Sequence, residues 1–537
     1  MLSISHRISS RFMAAVILSM AGISLCHAES TTRPRLVVGI MIDGLRSELI
    51  DQLRPYFSDG GFNRLLDKGL IIANADYGTN LDAAAATAML MTGATPSVNG
   101  VPAAFVYDPD ARRLVPTLLD DSVIGNYTTE TYSPRNLRVS TIADEVRIAG
   151  GGVTSAYAVA PDPQQAIILG GHAANSALWL NDATGNWATT TFYKDTPTFI
   201  VGRNRLTPLS SRLDTMSWTP LLKPETYPDL PDHLKRYPFR YVFPRGNSRR
   251  YELFRQSPLV NREVTDIATE MITALGLGSH DGVDMLKVAY TLVPFEQSKN
   301  PDSRFETMDA YLRLDRNLEK LFNTVDRASD SNSLIFVAAT PPPTSVRRDD
   351  EKWNIPYGEF SSRKASSLLN MYLMAVFGNG DWVRGYHNRQ FFLNADLIKE
   401  KNLDYSKVRS EAADFLARMS GVKEVFTIDQ ILSGIAGEKA QAFKRNTHIA
   451  SAGDIFIDII PGWEIIDDYN NISESPTTGK VQRVAAATSP AYIMGNSVKP
   501  ARIDVPVDVR VIVPTVARIL RIRSPNAASL PAYDVAR

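Results

Sequence analysis

The sequence predicts an α/β protein with a mostly parallel central sheet and helices on both faces. Three observations carry this. Leu36–Asp43 reads Leu-Val-Val-Gly-Ile-Met-Ile-Asp, the continuous apolar run that a strand buried on both faces requires. Similar short runs recur at 155–160, 286–293, 334–339, 455–460 and 492–494. Between them lie segments with apolar residues at helical spacing, and such alternation builds a sheet covered on both sides.

Taken in order, the first strand ends on the carboxylate of Asp43, followed by a helical pattern at 61–68. The next helix begins at Ala83, where Asp82 precedes Ala83-Ala84-Ala85-Ala86-Thr87-Ala88 and is a good N-terminal cap. Further helical patterns cover 141–148, 262–275, 307–325 and 509–520. The clearest sets Tyr311, Leu312, Leu314, Leu318, Leu321 and Phe322 against Arg313, Asp315, Arg316, Glu319 and Lys320. Two stretches interrupt the alternation: 173–260, rich in Pro, Tyr, Trp and Arg, and 355–450, of mixed pattern. Both are expected as insertions at the rim of one α/β domain spanning 29–537.

With 537 residues, 44% hydrophobic and 22% charged, the composition is that of a globular protein with a large core. Residues 1–28 read as a secretory signal: Arg7 and Arg11 lead an apolar stretch at 12–25, and Cys26-His27-Ala28 follows. A membrane anchor is the alternative, but the stretch is short of the roughly 20 residues a span needs. Lipidation at Cys26 fits poorly behind the bulky Leu25. Cleavage after Ala28 makes the chain a secreted, periplasmic protein and removes its single cysteine, which excludes disulfides, thiolate metal sites and cysteine nucleophiles. It also removes two arginines and no acid from a balance of 58 basic against 58 acidic residues. No nucleic-acid signature and no later membrane span are expected.

At Asp43 a pattern emerges. The run 37–46 (VVGIMIDGLR), then 60–66 (GGFNRLL) and 91–100 (MTGATPSVNG) resemble the opening of the alkaline-phosphatase superfamily. Within it, the type I phosphodiesterase/nucleotide pyrophosphatase-like branch is most similar, including exported bacterial phosphatases with a threonine nucleophile. The likeness continues through 166–191, the helix at 311–321, Leu403-Asp404-Tyr405, Gly453-Asp454, Pro461-Gly462-Trp463 and Lys499-Pro500-Ala501-Arg502-Ile503, so that it covers residues 35 to 525.

The resemblance implies two divalent ions, held by aspartates and histidines at the C-terminal ends of strands, that activate a nucleophile and stabilise the leaving oxygen. Asp43 matches the first metal-binding aspartate. It either retains residual metal binding or serves as a turn cap or ion-pair partner. The nucleophile position, nine residues before Thr92-Gly93, is Ala83, whose methyl group cannot attack phosphorus. Thr79 and Thr87 flank it as weak substitutes, Thr87 displaced by about one helical turn. Ala104 stands at the place of a phosphate-holding asparagine, and Asp162 and Gln164 at those of a lysine and an arginine. Pro294, Ser298, Thr340 and Pro341 stand where aspartates and histidines belong, Pro342 at the glycine that follows them, and 477–494 contains no histidine. The remaining histidines are His172, His233, His280, His387 and His448; none adjoins an aspartate at a strand end.

The expectation is therefore a non-catalytic or very weakly active member of this superfamily, serving a binding or interaction role and needing no cofactor. One alternative is an active metal-dependent phosphomonoesterase or phosphodiesterase, which would carry a divalent metal such as zinc. The other is an envelope-protein or glycan partner working through the insertion. There Arg245, Arg249 and Arg250 stand among Tyr237, Phe239, Tyr241, Phe243, Tyr251 and Phe254, a mixture suited to a phosphorylated or acidic ligand. The plain reading of that mixture is a solvated surface.

Overall fold

A computed structural model describes residues 33–78, 81–193, 196–295, 303–340, 358–434, 437–466, 480–481 and 488–534. The leader expected at 1–28 and Thr79 lie outside them, as do Ser298, Pro341 and Pro342. No described helix is long and apolar enough to cross a membrane.

The central sheet contains β1 (Leu36–Asp43), β2 (Leu70–Asp76), β3 (Ala156–Ala160), β4 (Ser176–Leu180), β5 (Trp187–Thr190), β6 (Asp284–Thr291), β7 (Ser333–Ala339), β8 (Thr488–Gly495) and β9 (Ala501–Ile503). Their spatial order is β9-β2-β8-β7-β1-β6-β3-β4-β5. Strand β1 pairs in parallel with both β6 and β7, and the parallel run continues through β3 and β4. Only β8 and β5 run antiparallel to their neighbours among these strands. The sheet is mixed and mostly parallel, as the apolar runs predict.

Alternation along β1 divides the core. Leu36, Val38, Ile40 and Ile42 face one layer, which includes the helices Leu259–Ala274 and Arg304–Ala328. Val37 and Met41 face the other, which includes the helices Ala83–Thr92, Ile142–Ala149, Pro163–Gly170 and Ile512–Leu520. On this second face the register sets Phe336, Gly39 and Lys287 side by side across β7, β1 and β6. A Cβ on Gly39 would meet the Phe336 ring at 2.5 Å and the Lys287 chain at 2.7 Å, so glycine is required here. Through that gap the buried Lys287 reaches the Phe336 ring, with Nζ 4.5 Å from its centroid.

The two irregular stretches resolve differently from their composition. β4 and β5 fall within 173–260 yet extend the central sheet, so the rim segment proper begins after Thr190. Trp179 and Trp187, which gave the stretch its aromatic character, are buried on sheet strands. The run expected at 455–460 forms the strand Ile455–Ile459 in a separate four-stranded antiparallel sheet, between Gln390–Leu393 and Val422–Thr427. A short apolar run reports burial on both faces but not which sheet supplies it. The second rim region therefore has a core of its own, with Leu369, Leu373, Trp382, Ile457 and Ile459 in it.

Candidate active-site cleft

The C-terminal ends of parallel strands leave a crevice where loops diverge, the usual place for a site in such sheets. β1 ends there on Asp43, flanked by Thr291 of β6 and by Ala339 of β7. Thr340, the first residue past β7, donates its hydroxyl to Asp43 Oδ1 at 3.1 Å and accepts the Gly44 N–H at 3.2 Å. The Gln165 amide donates to Asp43 Oδ1 at 3.1 Å and Oδ2 at 3.2 Å. Tyr77, just past β2, donates its hydroxyl to the Ala339 carbonyl at 2.8 Å.

The electrostatics follow from burial. Desolvation is the largest influence on Asp43 and raises its carboxyl to about 7, against the two hydrogen bonds from Thr340 and Gln165, with the charges of Asp162 and Asp82 adding to the rise. Burial also pushes the Tyr77 hydroxyl well above its usual range, and the Asp43 charge adds to this.

The helix Ala83–Thr92 points its N-terminus into this region. Asp82 caps it, Oδ1 accepting the Ala85 N–H at 2.9 Å while Oδ2 accepts the Ala104 N–H at 2.6 Å. The expected cap is thus present, and Ala104 is bound through its backbone. Ala83 is the first helical residue and contributes a methyl group. Thr87 is fully buried and donates its hydroxyl to the Ala83 carbonyl at 2.6 Å, so it is not presented to the cleft. Asp162 caps the helix Pro163–Gly170 by accepting the Gln165 N–H at 3.0 Å, and Gln164 turns its amide oxygen to the Leu118 N–H at 3.3 Å. Both residues are therefore engaged by backbone N–H groups.

None of the described histidines joins Asp43. His172 spans the Asp144 carboxylate at 3.2 Å and the Leu137 carbonyl at 2.8 Å, fixing the chain after the helix Pro163–Gly170. His280 pairs with the buried Asp284 at 2.8 Å, at the start of β6 and hence at the opposite end of the sheet. His233 lies exposed on the helix Asp232–Arg236. His387 and His448 line a small cavity with Tyr107. Thr488 opens β8 and donates its hydroxyl to Asn74 Oδ1 at 3.2 Å.

The insertion arginines are paired. Arg245 Nε donates to Asp214 Oδ2 at 2.8 Å, Arg249 Nε donates to Glu252 Oε2 at 2.6 Å, and the buried Arg250 donates to Asp214 Oδ1 at 3.0 Å. Of the aromatic residues, Phe243 and Phe254 are buried, and Phe239 and Tyr241 pack on Trp218 at 5.0 and 5.3 Å; Tyr237 is 75% exposed.

The model of the type I phosphodiesterase / nucleotide pyrophosphatase family matches residues 37–482. The chain belongs to this family. Among family relatives, alkaline phosphatase PhoV of Synechococcus elongatus is 27% identical, across 93% of this chain and 92% of PhoV. Alkaline phosphatase PafA of Elizabethkingia meningoseptica is 26% identical, across 96% of both chains. A protein of Myroides odoratus named calcium-transporting ATPase is 27% identical, across 96% of this chain and 97% of its own. The crystal structure of wild-type PafA shares the fold with a TM-score of 0.82 at 24% identity, covering 94% of this chain and 99% of PafA.

Chemistry of the family type needs a cluster of carboxylates and imidazoles around Asp43. Among the described residues no group of three or more His, Cys, Asp or Glu is placed to hold a metal ion. The groups that touch Asp43 are an amide and a hydroxyl, hydrogen-bond donors where a dication would require anionic or imidazole ligands. The described residues therefore do not fit a pair of divalent ions. Gln165 and Tyr77 were not legible as site residues. Only the position of Gln165, three residues after the Asp162 cap, offered a signal.

Proposed function

We propose that this chain is a catalytically degenerate member of the type I phosphodiesterase family, exported to the periplasm, whose retained cleft serves binding rather than phosphoryl transfer. The observation that carries the reading is the hydrogen-bonded closure of Asp43 by Gln165 and Thr340, beside a helix that begins with Ala83 in place of a hydroxyl. The reversed charge at Asp162 supports it. A carboxylate about 4 Å from a phosphate anion opposes binding by several kcal/mol at an effective dielectric near 20.

The test is zinc analysis of protein purified with zinc present, together with hydrolysis of p-nitrophenyl phosphate and bis-p-nitrophenyl phosphate. The expected result is less than about 0.1 zinc per chain and no chelator-sensitive turnover. Turnover that chelation and Asp43→Ala both abolish would replace this reading with an active metal-dependent phosphomonoesterase or phosphodiesterase. That second reading is favoured by relatives named alkaline phosphatases along nearly the whole chain. It requires the missing ligands to come from outside the described residues.

A further inference from the structure

The rim segment that follows β5 holds a concavity unconnected with the chemistry at Asp43. It is a groove of about 460 Å³, within the usual range for small-molecule sites, lined by residues that include Leu213, Asp214, Thr215, Arg240, Phe243 and Arg245. Its walls are the stretches flanking a two-stranded ribbon, Ser217–Trp218 against Tyr241–Val242. The ribbon is pinned from beneath: Trp218 Nε1 donates to the buried Asp309 at 2.6 Å. Leu213 and Phe243 are buried beneath the groove, and the exposed Val242 gives it an apolar floor.

The charges above that floor do not balance. Asp214 faces Arg245 from the surface and Arg250 from within, and Arg240 adds a third guanidinium to the group. Three cations against one carboxylate leave two positive charges. Arg240 is exposed and has no hydrogen-bond or ion-pair partner among the described residues. The Arg245 side chain is 78% exposed, and solvent screens an ion pair so exposed. Arg250 holds the other oxygen of Asp214 from within, so Asp214 keeps a cation when Arg245 also meets a second anion.

We propose that this groove binds a phosphate monoester carried on a small soluble organic molecule, its dianionic head between Arg240 and Arg245 and its carbon frame on Val242. A tetrahedral dianion offers enough oxygens to accept from both planar guanidinium forks at once. The assignment differs from the sequence expectation, since Arg249 is engaged by Glu252 and Arg250 lies beneath the surface. It holds whether or not the Asp43 cleft turns over phosphate.

Isothermal titration of the purified chain with glucose 6-phosphate, and separately with inorganic phosphate, tests it. The sugar phosphate is expected to bind saturably, more weakly as salt is raised, and more tightly than phosphate alone. Arg240→Glu and Arg245→Glu should each weaken it by about tenfold or more, and Asp43→Asn should leave it unchanged. Arg240 touches nothing that holds the fold, so Arg240→Glu should keep the parent's melting temperature, and Arg240→Gln should give an intermediate loss of affinity. Absence of saturable binding up to about 10 mM would overturn the proposal. So would full binding in the Arg240→Glu/Arg245→Glu double variant, equal affinity for inorganic phosphate, or loss of binding in Asp43→Asn.

Discussion

Asp43 and Lys287 are single residues whose burial sets measurable behaviour. An aspartate in the unfolded chain titrates near 3.8, whereas Asp43 in the fold is raised to about 7 by burial. Between these values the native state keeps a proton that the unfolded chain has lost. The stability so gained is fully present below about pH 4 and is lost as pH rises through about 7. Asp43→Asn should flatten this dependence and stabilise the protein at about pH 8 by a few kcal/mol at most, read from urea midpoints across pH. A loss of stability at that pH would show that the carboxylate is held by cationic partners. Lys287 carries the opposite sign. Burial pushes its ammonium well below the usual range, with the charge of Asp144 opposing the shift. The unfolded chain therefore binds the extra proton, and stability should climb as pH rises toward the ordinary lysine value near 10.4. Lys287→Met should remove that climb and stabilise the protein near neutrality by about 1–3 kcal/mol in the same measurement.

At the scale of an element, the helix Ala83–Thr92 shows how signals at its two ends define a helix. Residues Ala84 to Thr92 are all buried, so the helix packs on every side and depends on its ends for definition. Asp82 supplies the N-terminal end, and Gly93 closes the other in the left-handed conformation at φ 64°, its N–H returning to the Met89 carbonyl. Asp82→Ala removes the acceptor for both Ala85 and Ala104 and should cost about 1–2 kcal/mol in thermal or chemical unfolding. Ala83→Thr puts a hydroxyl at the position that the family resemblance gives to the nucleophile. Zinc-dependent hydrolysis of p-nitrophenyl phosphate should stay absent in this variant, because Asp43 remains closed by Gln165 and Thr340. Turnover appearing with this one substitution would mean that metal ligands do gather there. The cap, the alanine tract and the missing hydroxyl are all legible in the sequence, since a cap acts within three residues of itself. The closing partners of Asp43 stand 122 and 297 residues away, and no local rule links them to it.

At the scale of the whole molecule, the rim segment docks on the long helix Arg304–Ala328 through two carboxylates, Glu306, which accepts from the Tyr241 hydroxyl at 2.7 Å, and Asp309. Asp309 is fully buried and accepts from Trp218 Nε1 at 2.6 Å, from the Tyr227 hydroxyl at 2.7 Å and from the Leu221 N–H at 2.6 Å, while Arg313 neutralises it at 2.6 Å. Asp309→Ala leaves three donors and a guanidinium without their acceptor and should destabilise this docking by about 3–5 kcal/mol. Limited proteolysis of the variant should then cut within 191–258 well before the sheet is lost. The same contact explains where the aromatic residues of this segment go. Its aromatic residues turn inward to Asp309 and to one another, so most are unavailable to a ligand, and the groove belongs to Arg240 and Arg245 instead.

The chain by itself determined the alternating architecture, the order of the sheet-forming runs, the strand that ends on Asp43, the capped helix that begins at Ala83 and the family. Each is written in a local period, a cap spacing or an ordered set of motifs. Only the tertiary structure decided that Ile455–Ile459 joins a separate sheet, that β4 and β5 extend the central one, that Gln165 and Thr340 close over Asp43, and which carboxylates the insertion arginines pair with. Those outcomes depend on which distant groups share a buried space, because burial and pairing set the energy of a charge while sequence spacing sets only its place along the chain.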